Sequence, residues 1–172
     1  ATVIDSAVIT QGKFEFKGED TPKPLWATLS FKDKFVPLAD FYLENGDISV
    51  KGERYHSEVT GTKTNEEYIV FNREVNSMYG VMSNLHSLLA QHDADSESYK
   101  DSIKNEIKKK GEELEQAEMN FIRTYPGSVI SLRLLSYKSA RMTGQQLKET
   151  LALLDASLQD DPQVAKMKEY AE

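Results

Sequence analysis

Two short segments of this chain echo one another and constrain its first third to antiparallel β structure. Residues 12–19 read GKFEFKGE and residues 46–53 read GDISVKGE, and each follows an apolar stretch across a glycine-containing turn. Alternating residues after a two-residue turn are typical of the return strand of a β-hairpin. We therefore predict two hairpins, with turns at Gln11-Gly12 and Asn45-Gly46.

The turns fix the partners that we expect across each hairpin. In the first hairpin, Ile9 is predicted to face Phe14. In the second, the Asn-Gly pair predicts a type I′ turn with positive φ at both residues, which would set Leu43 opposite Ile48.

Alternation continues to about Thr60, which predicts an antiparallel, sandwich-like β domain over residues 1–62. In the strand around Trp26, the indole shares a face with Thr28 and Ser30, opposite an apolar face. Pro37 cannot donate to a ladder and is expected at an edge, a bulge or the first position of a strand.

The hydrophobic period then changes to that of helices, and residues 63–172 are predicted to form a helical region. Thr64 to Glu67 fits a T-x-x-E capping box at the start of the first helix. Two long apolar stripes separated by a polar loop at residues 92–96 predict an antiparallel helical hairpin over about 64–124. Gly111 should weaken the second helix.

Shorter helices are predicted from about 128 to 172. Ser136 is assigned to the inner face of the first of them. Thr143 opens a second capping box, for a helix whose inner face carries four leucines: Leu147, Leu151, Leu154 and Leu158. Asp161-Pro162 predicts a last helix that still runs at Glu172, so we expect the natural chain to continue.

Composition excludes several classes of function. The net charge is −7, which disfavours nucleic acid and anionic membranes as partners, and no apolar run approaches the roughly 20 residues that span a bilayer. The chain has no cysteine, so it can supply neither a thiol nucleophile nor a thiolate ligand. No nucleotide-binding or hydrolase motif occurs, and we predict no catalytic residues, no metal and no cofactor.

The histidines and the acidic loop do not form metal-site patterns. His86 and His92 are six residues apart, which puts them on different sides of a helix. Asp93, Asp95 and Glu97 lack the glycine and the twelfth-position glutamate of a calcium loop. We interpret these side chains as solvated.

Several segments resemble a known family. They are Ile4 to Ile9 running into GKFEFKGE, Phe41 to Ile48, Val59 to Thr62 with Asn65, and the helices around Tyr125-Pro126-Gly127-Ser128. The first three look like the N-terminal domain of unknown function that precedes TlpA-like thioredoxin domains. The helices resemble the segment that follows this domain in those proteins, so the resemblance covers nearly the whole chain.

The resemblance implies an accessory role. Parents in that family are typically exported, often lipid-anchored thiol-disulfide oxidoreductases or peroxiredoxin-like proteins (AhpC/TSA-type relatives), whose CxxC lies in a C-terminal thioredoxin-like domain. The chain would then be a non-catalytic, periplasmic or outer-membrane-anchored module. Its expected partners are its own downstream thioredoxin-like domain and a second copy of itself, for positioning, self-association or partner recognition.

Two surfaces are candidates for interaction. Trp26 with its neighbour Tyr42 could bind a ligand or glycan on an aromatic sheet face, unless a helix covers that face and buries the indole. The narrow apolar stripe of the second long helix leaves its lysines, Lys104, Lys108 and Lys109, as a surface for docking another domain or copy. A periplasmic ligand- or glycan-binding module is therefore the alternative function.

Overall fold

The computed structural model describes residues 2–32, 36–53, 56–91 and 96–172, together with their secondary structure. Within these ranges, short antiparallel strands come first and helices follow from residue 63. The predicted α+β class is confirmed. His92, Asp93 and Asp95 lie outside the described residues, as does the side chain of His56.

Four strands form two two-stranded antiparallel sheets in the described part of the chain. The strands are β1 (Leu25–Phe31), β2 (Val36–Leu43), β3 (Ser49–Glu53) and β4 (His56–Thr60). β1 pairs with β2, and β3 pairs with β4. Ser57 of β4 donates its hydroxyl to the Leu38 carbonyl of β2 at 2.6 Å, which links the two sheets.

Pro37 lies beside a bulge in β2. Leu29 pairs with Ala39, whereas Ser30 pairs with Pro37, so β2 carries one extra residue between them. A proline is tolerated there because the regular ladder is interrupted. The prediction for Pro37 is confirmed.

The first predicted hairpin forms its turn but extends no further. Gln11 and Gly12 both adopt positive φ, 51° and 76°, and Thr10 and Lys13 form a single bridge across them. No strand is assigned between residues 2 and 24. The predicted turn is confirmed, while the predicted ladder beyond Thr10 and Lys13 is absent.

The second predicted hairpin is wrong. Leu43 pairs with Leu25 rather than Ile48, and Asn45 does not adopt positive φ. Contacts with distant residues override the local Asn-Gly signal. The Asn45 side chain accepts a hydrogen bond from the Thr21 amide at 2.6 Å. Gly61, at φ 105°, also approaches the chain so closely that a Cβ there would lie 2.2 Å from the Asp47 carbonyl oxygen.

The helical hairpin is confirmed, with a π-helical turn in its first arm. That arm runs without interruption through α1 (Lys63–Phe71), a π segment (Asn72–Asn76) and α2 (Ser77–Gln91), and the second arm is α3 (Glu97–Thr124). Gly111 does not break α3. A Cβ at Gly111 would lie 4.0 Å from the Met82 methyl group, so the glycine sits where α2 and α3 face each other.

The predicted capping box at Thr64 is wrong. The helix begins at Lys63, two residues before the start that a cap at Thr64 would give, and Thr64 is bonded instead to a carboxylate that follows β2. Glu44 accepts from the Thr64 amide and from its hydroxyl, both at 2.8 Å. A negative charge from outside the helix thus satisfies an N-terminal amide and complements the helix dipole.

Three shorter helices end the chain: α4 (Val129–Ser139), α5 (Gly144–Leu151) and α6 (Pro162–Tyr170), with a 3₁₀ turn at Ala156–Leu158. The caps at Thr143 and Asp161 form as predicted. Three predictions are wrong. Ser136 is exposed. Helix α5 ends at Leu151, so Leu154 and Leu158 lie beyond it, although all four predicted leucines are buried. The last helix ends at Tyr170.

The core lies among the helices and beneath β2. Its members come from β2, from the π segment and from α3 to α6, and they are almost all aliphatic or aromatic. The most deeply buried of them include Val75, Ile122, Ile130, Leu135, Leu147 and Val164. The β1–β2 sheet therefore meets the helical core through one strand, and Tyr42 is its contribution.

Candidate interaction surface

A row of aromatic rings leads from the surface of the first sheet into the helical core. Trp26 and Tyr42 are cross-strand partners, and their ring centroids lie 5.1 Å apart at a steep angle. Tyr68 of α1 packs edge-on against both, at 5.1 and 5.6 Å. The row continues through Phe71, Phe121 and Tyr125. Edge-to-face and offset-stacked aromatic contacts stabilise a fold beyond simple area burial.

Burial changes sharply along this aromatic row. Tyr42 is 5 % exposed, whereas Trp26 keeps 43 % of its surface in solvent. The sequence allows two alternatives for the Trp26 face: it is open to solvent, or a helix covers it. Helix α1 covers the Tyr42 half and leaves part of the indole open. Trp26 therefore forms the exposed end of a buried cluster.

Arg133 of α4 completes this end of the row. Its guanidinium lies 5.4 Å from the centroid of Trp26 and 5.9 Å from that of Tyr137. Burial raises the pKa of Tyr42, and the hydrogen bond with Arg133 partly offsets this effect. The phenol therefore stays protonated at neutral pH. A cation held over an indole is a favourable contact.

Exposed aromatic and arginine side chains together are typical of binding hot spots. We define the Trp26 patch as Trp26, Tyr68, Arg133 and Tyr137, of which Tyr137 is 72 % exposed. At the neighbouring positions of the sheet, Thr28 donates its hydroxyl to Asp40 at 2.6 Å. The patch thus offers apolar ring surface and one cation, with the Asp40 carboxylate at a neighbouring position of the sheet.

Asn65 joins this sheet to the helices, a role that sequence reasoning missed. It is 1 % exposed. Its amide oxygen accepts from the Tyr42 N–H at 2.8 Å, and its amide nitrogen donates to the Tyr42 carbonyl at 2.8 Å. The same nitrogen also donates to the Thr62 hydroxyl. A single side chain thereby pairs with β2 as a neighbouring strand would.

A second buried polar cluster ties three helices together. Glu118 of α3 is 6 % exposed and accepts from the Tyr79 hydroxyl of α2 and the Lys138 ammonium of α4. Burial, together with the hydrogen bond to Glu118, raises the pKa of Tyr79. Glu118 thus bonds to both of its partners, and the cluster links α2, α3 and α4.

The three predicted lysines lie on exposed positions of α3. Lys104 forms an ion pair with Asp101 at 3.1 Å, and Lys109 lines a shallow depression near the start of the helix. Lys108 precedes Phe121 by 13 residues, which is roughly 20 Å along a helix. The lysines therefore lie far along α3 from the point at which this helix contacts the aromatic row.

The described residues contain no cluster of three or more His, Asp or Glu side chains that could hold a metal ion. Among the same residues, no helix combines the length and hydropathy of a membrane-crossing segment. Residues 1–68 match the family model described as a domain of unknown function, DUF4369. The match spans the β region and ends at Tyr68 in α1. No curated protein and no solved structure matches the chain.

Proposed function

We propose that the chain is a non-catalytic accessory module of an exported thioredoxin-like thiol-disulfide oxidoreductase. The supporting observation is the match of residues 1–68 to the domain of unknown function, in the segment whose motifs resemble the N-terminal domain of such proteins. In this role the module acts in the periplasm or at the outer membrane. Its task is to position the redox domain or to select its partner.

The proposed docking surface is the exposed side of α3 around Lys104, Lys108 and Lys109. A long helix whose exposed face is polar can bind another domain through that face without disturbing the core that its other face contacts. The buried core contacts of α3 include Ile103 near its start, and Phe121 and Ile122 near its end. Between them, the exposed side of the helix carries charged residues, among them Lys104, Lys108 and Lys109.

One observation favours a second candidate function, a periplasmic ligand- or glycan-binding module. Trp26 keeps 43 % exposure although it lies within an aromatic cluster, and Arg133 sits over its ring. Sugars and planar ligands stack on aromatic surfaces of this kind. The two functions use different residues and can be separated by mutation.

The reading frame that encodes the chain gives a first test. We expect a thioredoxin-like domain with a CxxC motif downstream of Glu172 in the natural gene. A reading frame that ends without such a domain would contradict the proposal.

Binding measurements give the second test. The charge-reversed variant Lys104→Glu/Lys108→Glu/Lys109→Glu should lose binding to the separately produced thioredoxin-like domain in sedimentation velocity. Trp26→Ala should bind as the wild type does. A matched control reverses three exposed charges elsewhere, those of Lys148 on α5 and of Lys166 and Lys168 on α6. If the α3 variant binds normally while Trp26→Ala abolishes binding in a glycan array, the ligand-binding function is supported instead.

A further inference from the structure

The segment at residues 13–19 follows the Gln11-Gly12 turn and contains no assigned helix or strand. Its backbone is bonded to the described residues only at Lys13, which bridges to Thr10. All of its side chains are exposed except Phe14, which is half-buried. Unpaired backbone N–H and C=O groups of this kind are a template for pairing with another strand.

The hairpin also exposes apolar surface that a stable protein normally covers. Val3, Val8 and Phe16 are 85 %, 85 % and 42 % exposed. A two-stranded hairpin alone is marginally stable in water, and a further strand or a covering layer is needed. Its base is held in place, because the Thr21 amide donates to Asn45. The hairpin is therefore anchored but uncovered.

The charges along residues 13–19 are complementary to themselves in antiparallel order. When two copies of KFEFKGE run antiparallel about Phe16, Lys13 lies opposite Glu19 of the other copy, and Glu15 lies opposite Lys17. Four opposite-charge pairs then form along one face, since each pair occurs twice by symmetry. Opposite charges directly across antiparallel strands are stabilising, and like charges are destabilising.

The other face of the same pairing is also complementary. Phe16 meets its own copy at the two-fold axis, and Phe14 lies opposite Gly18. A Cβ built at Gly18 has no neighbour within 4 Å, so the space above this glycine is open to a partner's ring. Aromatic rings placed across from strand glycines are a known device for stabilising sheets.

Neighbouring registers lose this complementarity. A shift of two residues in one direction sets Lys13 opposite Lys17. The opposite shift sets Glu15 opposite Glu19. The charge pattern therefore selects one register, and an interface in which each copy offers the same patch is the usual form of a symmetric dimer.

We propose that residues 13–19 bind a second copy of this chain by antiparallel, two-fold symmetric strand pairing centred on Phe16. The inference goes beyond the proposed accessory function, because it needs no redox domain. It is tested on the chain alone, so its failure would leave the docking proposal at α3 untouched.

Sedimentation equilibrium of single and combined charge reversals provides the test. Wild-type chain should form dimers, and Glu15→Lys or Lys17→Glu should each weaken dimerisation about tenfold or more, because two attractive pairs become repulsive. Mixing the two variants in equal amounts should restore dimers, since position 15 of one variant then faces position 17 of the other with the opposite charge. The double variant in one chain should also dimerise as the wild type does.

Control variants carry the same charge changes elsewhere: Lys166→Glu and Glu169→Lys, both exposed on α6. They should dimerise normally and should show no rescue on mixing beyond wild-type behaviour. A wild type that is monomeric at all concentrations would overturn the proposal, and this result is expected if the hairpin folds back onto β1 of its own chain. The proposal would also be overturned if the single variants dimerised as the wild type does. The same holds if they lost dimerisation and mixing them did not restore it.

Discussion

Replacing Asn65 tests whether one side chain joins the sheet to the helices. Asn65→Ala removes both hydrogen bonds to the Tyr42 backbone and the one to Thr62, each 2.8 Å long in the wild type. Tyr42 is 5 % exposed, so solvent cannot readily replace these partners. The variant leaves one N–H and one C=O of Tyr42 without their partner.

The expected loss follows from these two groups. An unsatisfied buried backbone group costs about 1–3 kcal/mol, so with two such groups Asn65→Ala should lower the free energy of unfolding by about 2–6 kcal/mol. This is a large share of the stability of a domain, which is typically about 5–15 kcal/mol. Urea denaturation followed by circular dichroism measures the loss. The fluorescence of Trp26, the single tryptophan, reports on the sheet separately.

A charge variant sharpens the test. In Asn65→Asp one oxygen still accepts from the Tyr42 amide, but the other now faces the Tyr42 carbonyl, and two acceptors repel. Protonation of the introduced carboxylate would restore a donor, so its folded-state pKa should be raised and stability should recover as the pH falls through that value.

Asn120 is exposed on α3 and provides the control for Asn65. Asn120→Ala should change the free energy of unfolding by no more than about 0.5 kcal/mol. If Asn65→Ala unfolds as the wild type does, the side chain does not bond β2 as described, and the junction between sheet and helices must be held by other contacts.

Three further predictions concern the helices and the chemistry. Gly111→Ala should raise the melting temperature, because alanine gains about 0.5–1 kcal/mol over glycine within a helix and the added methyl makes ordinary contact with Met82; a lower melting temperature would show that α2 and α3 are packed more tightly. Since folding raises the pKa of Tyr79, the contribution of this side chain to folding stability is present below about pH 10 and is lost at higher pH. Tyr79→Phe should flatten the alkaline decline in stability, and an unchanged slope would contradict the assignment. The chain alone should not reduce insulin disulfides with a dithiol reductant, because it has no thiol; turnover above the reductant blank would refute this.

Local signals predicted those features whose contacts lie within a few residues. Thr143 and Gln146 form the expected capping box, and the Asp161 carboxylate accepts from the Gln163 amide at the start of α6. The same reasoning failed at Thr64. There the competing partner, Glu44, comes from 20 residues earlier in the chain, and no pattern around Thr64 indicates it.

The Trp26 patch shows the same division between local and distant information. Strand alternation placed Trp26 correctly on a face with Thr28, and its register places Tyr42 across from it. Tyr68 and Arg133 reach this face from α1 and α4, which belong to a later part of the sequence. Only the packing of helices on the sheet brings these groups together, and periodicity carries no information on that packing.

The two proposed interactions differ in what selects the partner. Along residues 13–19, backbone pairing would supply the attraction and charge order would supply the register, so a shift of two residues is penalised. On α3, no backbone group is free to pair within the helix, and recognition must come from side-chain charge and shape. The surfaces share no residue, and Asn65, which bonds β2 to the first helix, belongs to neither of them. A module built in this way can pair with its own copy and dock another domain at the same time, because neither interaction consumes the contacts that hold the sheet to the helices.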